Sequence, residues 1–502
     1  MIRILVLLAI VFPVIQYMCY HLLSLNDPHS SHAWSLSSLS SNLDAFNTAD
    51  VIKTQQQPNI LHDDSFLTMY GEHRVPEAID RLPKWLKEYI VWHKKETQTR
   101  SNNTKYVVTF CPKDFCGGLS DRMRPIPFFL LFASMVSRVF CIYYEQPQTL
   151  ENFLEPPSNG IDWRCPAEVG SLIAKQQEID SKRTKHRKNR KKPEQPFPIY
   201  NIDRCDKENK IIPCVESKIK WIKENEDRQF LGIQLVSNDV ASINNALYLF
   251  QRQSYIDKMP SIDRWDFAVT MNHIFRVMFK PVRPLAIRVN NTMAALGLKE
   301  NQYSSVHTRC RYPVYPVVRD QGKQVDKGGG MRFEGKTKDL LIEIMNNAIK
   351  CAYQLDQTHP IYFASDHDDA TEYMITHDTT VDKSGEIKVR PIGVKRDAEP
   401  LHMGNLETAG QHKVEEFYSI FEDLLIMGGG TCVSHGVGSF GSFAAALTGT
   451  NCRAIHRKFT GGLVTCPNDR GDRRLVNVTE PVLFGISSGD LVSSLKDIKY
   501  QH

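Results

Sequence analysis

Apolar and polar positions along the chain fall into three regimes. From Ile4 to Leu25 the residues are mainly apolar, about the length that crosses a bilayer, with Arg3 and the amino terminus before the run and Asp27 soon after it. Residues 26–60 lose all periodicity in a stretch rich in Ser, Asn, His and Gln, a composition that does not fold alone. From about Pro76 onward, Ile79, Leu82, Trp85, Leu86, Ile90 and Trp92 recur at helical spacing, and folded structure is expected to begin there.

After that first helix the pattern alternates. Short apolar or β-rich runs at 106–110, 139–144, 303–309, 361–364 and 431–435 predict strands, and helical patterns at 127–136, 337–353, 368–376, 413–427 and 439–447 lie between or after them. Alternation of this kind predicts α/β structure with parallel sheets covered on both faces, and its recurrence in two regions predicts two Rossmann-like domains. The chain is long enough for both, since single cores stop growing at about 250–300 residues. The expected organisation is a transmembrane signal-anchor (1–25), a stem (26–75), an N-terminal Rossmann-like domain (76–285) and a C-terminal Rossmann-like domain (286–502). A disordered basic insertion is expected at about 175–198 inside the first domain.

Composition narrows the class. With 41% hydrophobic and 24% charged residues, neither a wholly disordered chain nor a multi-span membrane protein fits. The net charge of +5 belongs to one segment: Lys182 to Lys192 carries eight Lys and Arg residues, and without them the remainder stands at −3. With no nucleic-acid-binding signature besides, a nucleic-acid partner is not expected. The anchor is read as uncleaved because its apolar run exceeds a usual signal-peptide core, and Tyr17, Tyr20, His21 and Leu22 stand where small cleavage residues would be. Asn102-Asn103-Thr104, Asn290-Asn291-Thr292 and Asn477-Val478-Thr479 are N-glycosylation sequons. Of twelve cysteines, eleven lie beyond the anchor and permit disulfides in an oxidising lumen; Cys205/Cys214 and Cys452/Cys466 are spaced to close small loops. No CxxC occurs, and no metal site is expected.

Four stretches carry candidate chemistry. The loop Cys116 to Arg124 lies between a strand and a helix, where Gly117 and Gly118 let backbone N–H groups approach an anion and Arg122 and Arg124 add charge; the bland reading is a tight turn. Val306-His307-Thr308-Arg309 ends a strand with His307 and Arg309 on one side, and the Arg fork suits a departing diphosphate; the bland reading is a solvated strand end. Ser365 and Asp366 stand at the C-terminal end of a parallel strand, where ligands bind, but also suit the N-cap of the next helix. The strand before Gly436 and the helix from Ser439 frame another anion cradle, with Phe440 beside it and Asp423 available to a guanine edge; the alternative is a core helix followed by an ordinary glycine turn.

Taken in order, these residues resemble the GDP-fucose-dependent fucosyltransferase superfamily of α1,6-, nodulation, plant cell-wall and protein O-fucosyltransferases. Cys116 to Arg122 is similar to its GGxGDR loop, with Ser120 in place of the third glycine. Val306 to Arg309 resembles its HxR strand, Ile361 to Asp366 the strand ending in a Ser/Thr-Asp pair, and Asp423 with Ser439 and Phe440 its base- and phosphate-binding set. The resemblance covers roughly residues 106–459 and implies a GT-B fold, inversion at the anomeric carbon, no metal and no cofactor. It assigns catalysis to Arg309 and His307, and donor binding to Gly117, Gly118, Arg122, Ser365, Asp366, Asp423, Ser439 and Phe440. The expected reaction transfers fucose from GDP-fucose to a glycan or glycoprotein, in a single-pass type II Golgi membrane protein with a lumenal catalytic region. The alternatives are another donor sugar, protein O-fucosylation in the endoplasmic reticulum, or a non-catalytic glycan-binding relative. After HxR this chain carries Cys310-Arg311 rather than acidic residues, and Asp320, Asp326 and Glu334 are the candidates left for a base.

Overall fold

The structure is a computed structural model. Between residues 69 and 466 it describes all but 100, 102, 112–116, 186–196, 203–220, 222–223, 236–266, 312–318, 321–322, 325–332, 383, 397–400, 402, 404–410, 451 and 458–462. The expected anchor, most of the stem, Cys116, Cys205/Cys214, Asp326 and most of the basic run lie outside the described residues. Among the described residues no helix is long and apolar enough to cross a membrane.

Two four-stranded parallel sheets organise the chain. The first contains β1 (Tyr106–Phe110), β2 (Val139–Tyr143), β3 (Ile199–Ile202) and β4 (Phe230–Leu235) in the order β2-β1-β4-β3. The second contains β5 (Ser304–Thr308), β6 (Ile361–Ser365), β7 (Cys432–His435) and β8 (Arg453–Ile455) in the order β6-β5-β7-β8. Every residue of β1, β5, β6 and β7 is buried, as strands covered on both faces require.

Side chains alternate between two cores along each strand. From β1, Tyr106, Val108 and Phe110 meet Val169 and Ile173 of α4 (Glu168–Lys185). Val107 points the other way, towards Phe129 and Leu130 of α3 (Ile126–Met135). From the second sheet, Val306, Ile361 and Phe363 pack on Leu341, Ile344 and Met345 of α7 (Gly335–Leu355) and on Ala370 and Met374 of α8 (Asp368–Thr376). Tyr362 and Ala364 face the opposite core with Leu424 and Leu425 of α9 (Tyr418–Gly428) and Phe443 and Leu447 of α10 (Ser439–Leu447). That core is continuous with the one over β1, and Phe153 stacks on Phe421 across it with ring centroids 4.4 Å apart. The helix α5 (Phe267–Met278) also joins it, with the Asn272 amide donating to the Leu447 carbonyl at the end of α10.

Two expectations change, and the cysteine pairing that the sequence leaves open is resolved. Folded structure starts before Pro76, because Met69 and Tyr70 are buried where Gly428 and Gly429 leave room for them: a Cβ on Gly429 would stand 1.9 Å from Met69 Sδ. These glycines serve close packing. The helix α4 runs on to Lys185, so the basic insertion does not begin at about 175; its first turns carry the apolar residues that dock on β1, and the polar second half conceals the element in the sequence. Cys452 pairs with Cys432 and Cys466 with Cys351 rather than with each other. Parallel pairing of β7 with β8 sets Val433 opposite Arg453, which brings Cys432 and Cys452 together. A third bridge joins Cys141 to Cys165.

Candidate active site

The site forms where the ends of β5 and β7 meet the start of α10. His307 and His435 are register partners on adjacent parallel strands. Gly441, in the first turns of α10, lies directly against both: a Cβ there would approach His435 Cβ to 2.8 Å and His307 Cβ to 3.0 Å. The helix can rest on the strand ends only because that position has no side chain. Phe440 packs beside His307 with ring centroids 5.0 Å apart.

At the start of α10, Gly438 has φ 97° and ψ 165°, a conformation essentially restricted to glycine. A Cβ on it would stand 3.4 Å from Arg309 Nη1. The Arg309 guanidinium thus lies beside the first N–H groups of a nine-residue helix, and both present positive potential. Arg309 is partly exposed. Its turn is fixed from below, where Asp366 Oδ1 accepts the backbone N–H groups of Cys310 at 2.6 Å and Arg311 at 2.9 Å.

The histidines of this end are held neutral. Burial, reinforced by Arg309 and opposed by Asp366, lowers the His307 pKa to about 4. Burial and the nearby Arg453 lower His435 to about 3, and His456, whose Nδ1 lies 3.0 Å from Ser434 Oγ, is displaced the same way by burial and by His435. His307 Nδ1 is buried with no hydrogen-bond partner among the described residues. Burial also pushes the Cys310 thiol up to about 12, so it is no nucleophile at neutral pH.

The glycine loop of the first sheet reaches the same place. Asp121, on the short helix α2 (Leu119–Met123), accepts the Gly118 N–H at 3.0 Å through Oδ2 and the Ser439 hydroxyl at 2.7 Å through Oδ1. Gly117 sits at φ 66°. Arg122, however, turns away from any anion. Its Nε and Nη2 donate to the Gly117 carbonyl at 3.2 and 3.1 Å, Nη2 to Met403 O at 2.6 Å, and Nη1 to Gln146 O. It is 4% exposed, and burial lowers its pKa to about 10.

Asp423 sits in a separate buried network. It accepts from Tyr362 Oη at 2.6 Å and Arg396 Nη2 at 2.7 Å, while Glu422 accepts from Arg288, Thr292 and Arg396 at 2.9, 2.5 and 3.2 Å. Burial raises the Asp423 carboxyl above the usual carboxylate range, with Arg396 and Tyr362 pulling it back. Burial works against the charge on Arg396 too, but Asp423, Tyr362 and Glu422 hold its guanidinium above its ordinary value. Thr292, the third residue of one sequon, spends its hydroxyl here.

The sequence-derived set therefore divides. His307, Arg309, Gly118, Ser439 and Phe440 come together. Ser365, whose hydroxyl accepts the His367 N–H at 3.2 Å, and Asp366 serve the backbone turns beneath them. Arg122 serves the loop's interior and Asp423 the network with Arg396. Of the carboxylates considered for a base, Glu334 is exposed at the N-cap of α7, and Asp320 lies in a two-residue ladder pairing with Lys323. Sequence reasoning missed Arg396, which no motif marks, and His435, whose place at the end of a strand parallel to β5 was the available signal. Among the described residues no three His, Cys, Asp or Glu side chains gather to hold a metal ion.

No protein-family model and no curated protein matches the chain. Its fold is similar to that of Arabidopsis thaliana FUT1 in complex with GDP, at 13% identity and TM-score 0.42, covering 77% of this chain and 78% of that one. It is similar to NodZ alpha-1,6-fucosyltransferase soaked with GDP-fucose at 12% identity and TM-score 0.38, covering 72% and 98%. POFUT1 in complex with GDP-fucose follows at 12% identity and TM-score 0.29, covering 71% and 98%.

Proposed function

We propose that the chain is an inverting glycosyltransferase of GT-B type that uses GDP-fucose as donor and a glycan or glycoprotein as acceptor. The observation that carries the reading is the approach of Arg309 to Gly438 at the N-terminus of α10, 3.4 Å from where a Cβ would stand. A guanidinium fork and a helix N-terminus converging on one spot suit a diphosphate, whose charge grows as the sugar departs.

In this reading Arg309 and the N–H groups at Ser439 and Phe440 hold the diphosphate. His307, neutral through burial, donates through a ring nitrogen without adding a second cation. Preorganised donors of this kind stabilise the leaving group without a divalent cation, so no metal is included. Asp423, which the resemblance assigns to the guanine edge, is held by Tyr362 and Arg396 through Oδ1, so only its Oδ2 is left to meet the base in this reading. The apolar run at 4–25 and the sequons support a single-pass type II protein with its catalytic region in the Golgi lumen.

Calorimetric titration of the fragment beyond the anchor with GDP, UDP and CMP, with and without EDTA, tests the donor assignment. A guanine-selective signal indifferent to EDTA is expected. Preference for UDP with manganese would overturn it.

A further inference from the structure

Asp121 is the carboxylate that the first sheet extends into this site. It lies in the first turn of α2, just after the loop from β1, yet its Oδ1 is 2.7 Å from Ser439 Oγ, the first residue of α10 and the neighbour of the glycine against which Arg309 lies. Asp366 and Asp423, the other carboxylates near the strand ends, have other tasks. Asp366 holds the N–H groups of Cys310 and Arg311, and Asp423 is bonded to Arg396 and Tyr362. Asp121 is partly exposed and accepts one hydrogen bond on each oxygen among the described residues, which leaves lone pairs available on both. Arg122 on its own helix interacts with it electrostatically, and Arg309 lies against Gly438, the residue before its partner Ser439. Through Ser439 it stands next to the Gly438–Arg309 corner proposed to hold the diphosphate, and it is supplied by the first sheet while that corner belongs to the second.

We infer that Asp121 is the general base of the transfer, an inference resting on the glycosyltransferase reading. As the acceptor oxygen bonds to the anomeric carbon, the bond from that carbon to the donor phosphate oxygen breaks and its electron pair leaves with the diphosphate. The acceptor's hydroxyl proton passes to an Asp121 carboxylate oxygen. The bond to Gly118 N–H holds the carboxylate in place, and the bond from Ser439 sets its distance from the leaving group.

The test compares wild type with Asp121→Asn, which keeps the size and an acceptor oxygen for Ser439 but is a far weaker base. Expected are transfer slowed by about 100-fold or more, the acid limb of the kcat/KM pH profile lost, and GDP affinity in calorimetry within about threefold of wild type. Transfer within tenfold of wild type, or a defect confined to GDP affinity, would overturn the inference and leave the glycosyltransferase reading standing. A wild type that neither binds GDP nor transfers a sugar would overturn both. Should the melting curve show that Asp121→Asn does not fold, Asp121→Glu replaces it: the retained carboxylate is expected to preserve the acid limb at reduced turnover, and loss of that limb would count against the proposal.

Discussion

The turn from β1 into α2 and the turn from β7 into α10 are both strand-glycine-helix units, and both have an arginine nearby. They use it in opposite ways. In the first, Arg122 belongs to the helix that the turn starts, and its guanidinium folds back onto the carbonyls of Gly117, Gln146 and Met403. In the second, the arginine comes from another strand: Arg309 leaves β5, is held by Asp366 through its turn, and arrives beside Gly438 from outside. An arginine within the turn completes the turn's own hydrogen bonding, whereas one delivered from a neighbouring element can present charge to a ligand.

The largest effect should separate the two arginines by function. Arg309→Ala is expected to slow transfer by about 100- to 1,000-fold, as loss of an oxyanion-stabilising donor does. In calorimetry the same variant should weaken GDP by about 1.5–3 kcal/mol. Unchanged GDP binding would erase the contrast and favour a non-catalytic role. The reverse pattern is expected of Arg122→Ala, which strips donors from buried carbonyls and should destabilise the fold by about 3 kcal/mol in denaturant titration. Its GDP affinity should stay within about threefold, because Arg122 points away from the cradle.

The smallest effect sharpens the electrostatic side of the contrast. Only the second turn is backed by buried neutral histidines among the described residues. With His307 lowered to about 4 in the fold and about 6.5 when unfolded, the unfolded chain takes up a proton first. Stability should therefore be full above pH 6.5, fall as pH drops towards 4, and level off once the folded form protonates as well. A loss of about 3 kcal/mol is expected from His307, and His307→Asn should flatten part of the melting-temperature decline between pH 7 and 4.

Much of this was written locally in the chain. Tyr106–Phe110 and Ser439–Leu447 form with the bounds their patterns predict, β6 and β7 end where their runs meet Asp366 and Gly436, and β5 lies within the run expected at 303–309. The residue types at strand ends were equally legible, because period-two alternation puts His307 and Arg309 on one side. What could not be read was which partner each polar group would satisfy. The commitment of Asp366 to the Cys310 turn, of Arg122 to Met403, and of Asp423 to Arg396 depends on residues 281 apart or fewer but never adjacent in sequence. The lower half of α4 was hidden for a related reason: its sequence turns polar and basic before the helix ends.

Phe153 stacked on Phe421, with Tyr70 and Phe443 each packed on Phe275, fills the seam between the sheets with aromatic rings. A clamshell that swings wide needs a water-tolerant hinge gap, and forcing this seam apart would wet those rings at a cost of several kcal/mol. If the chain is the glycosyltransferase proposed above, nucleotide sugar and product would then pass with the sheets held together, and the Gly117–Gly118 and Gly436–Gly438 segments are the stretches at the site built for backbone adjustment. Turnover would then respond to stiffening of those two short stretches more than to any change in the angle between the sheets.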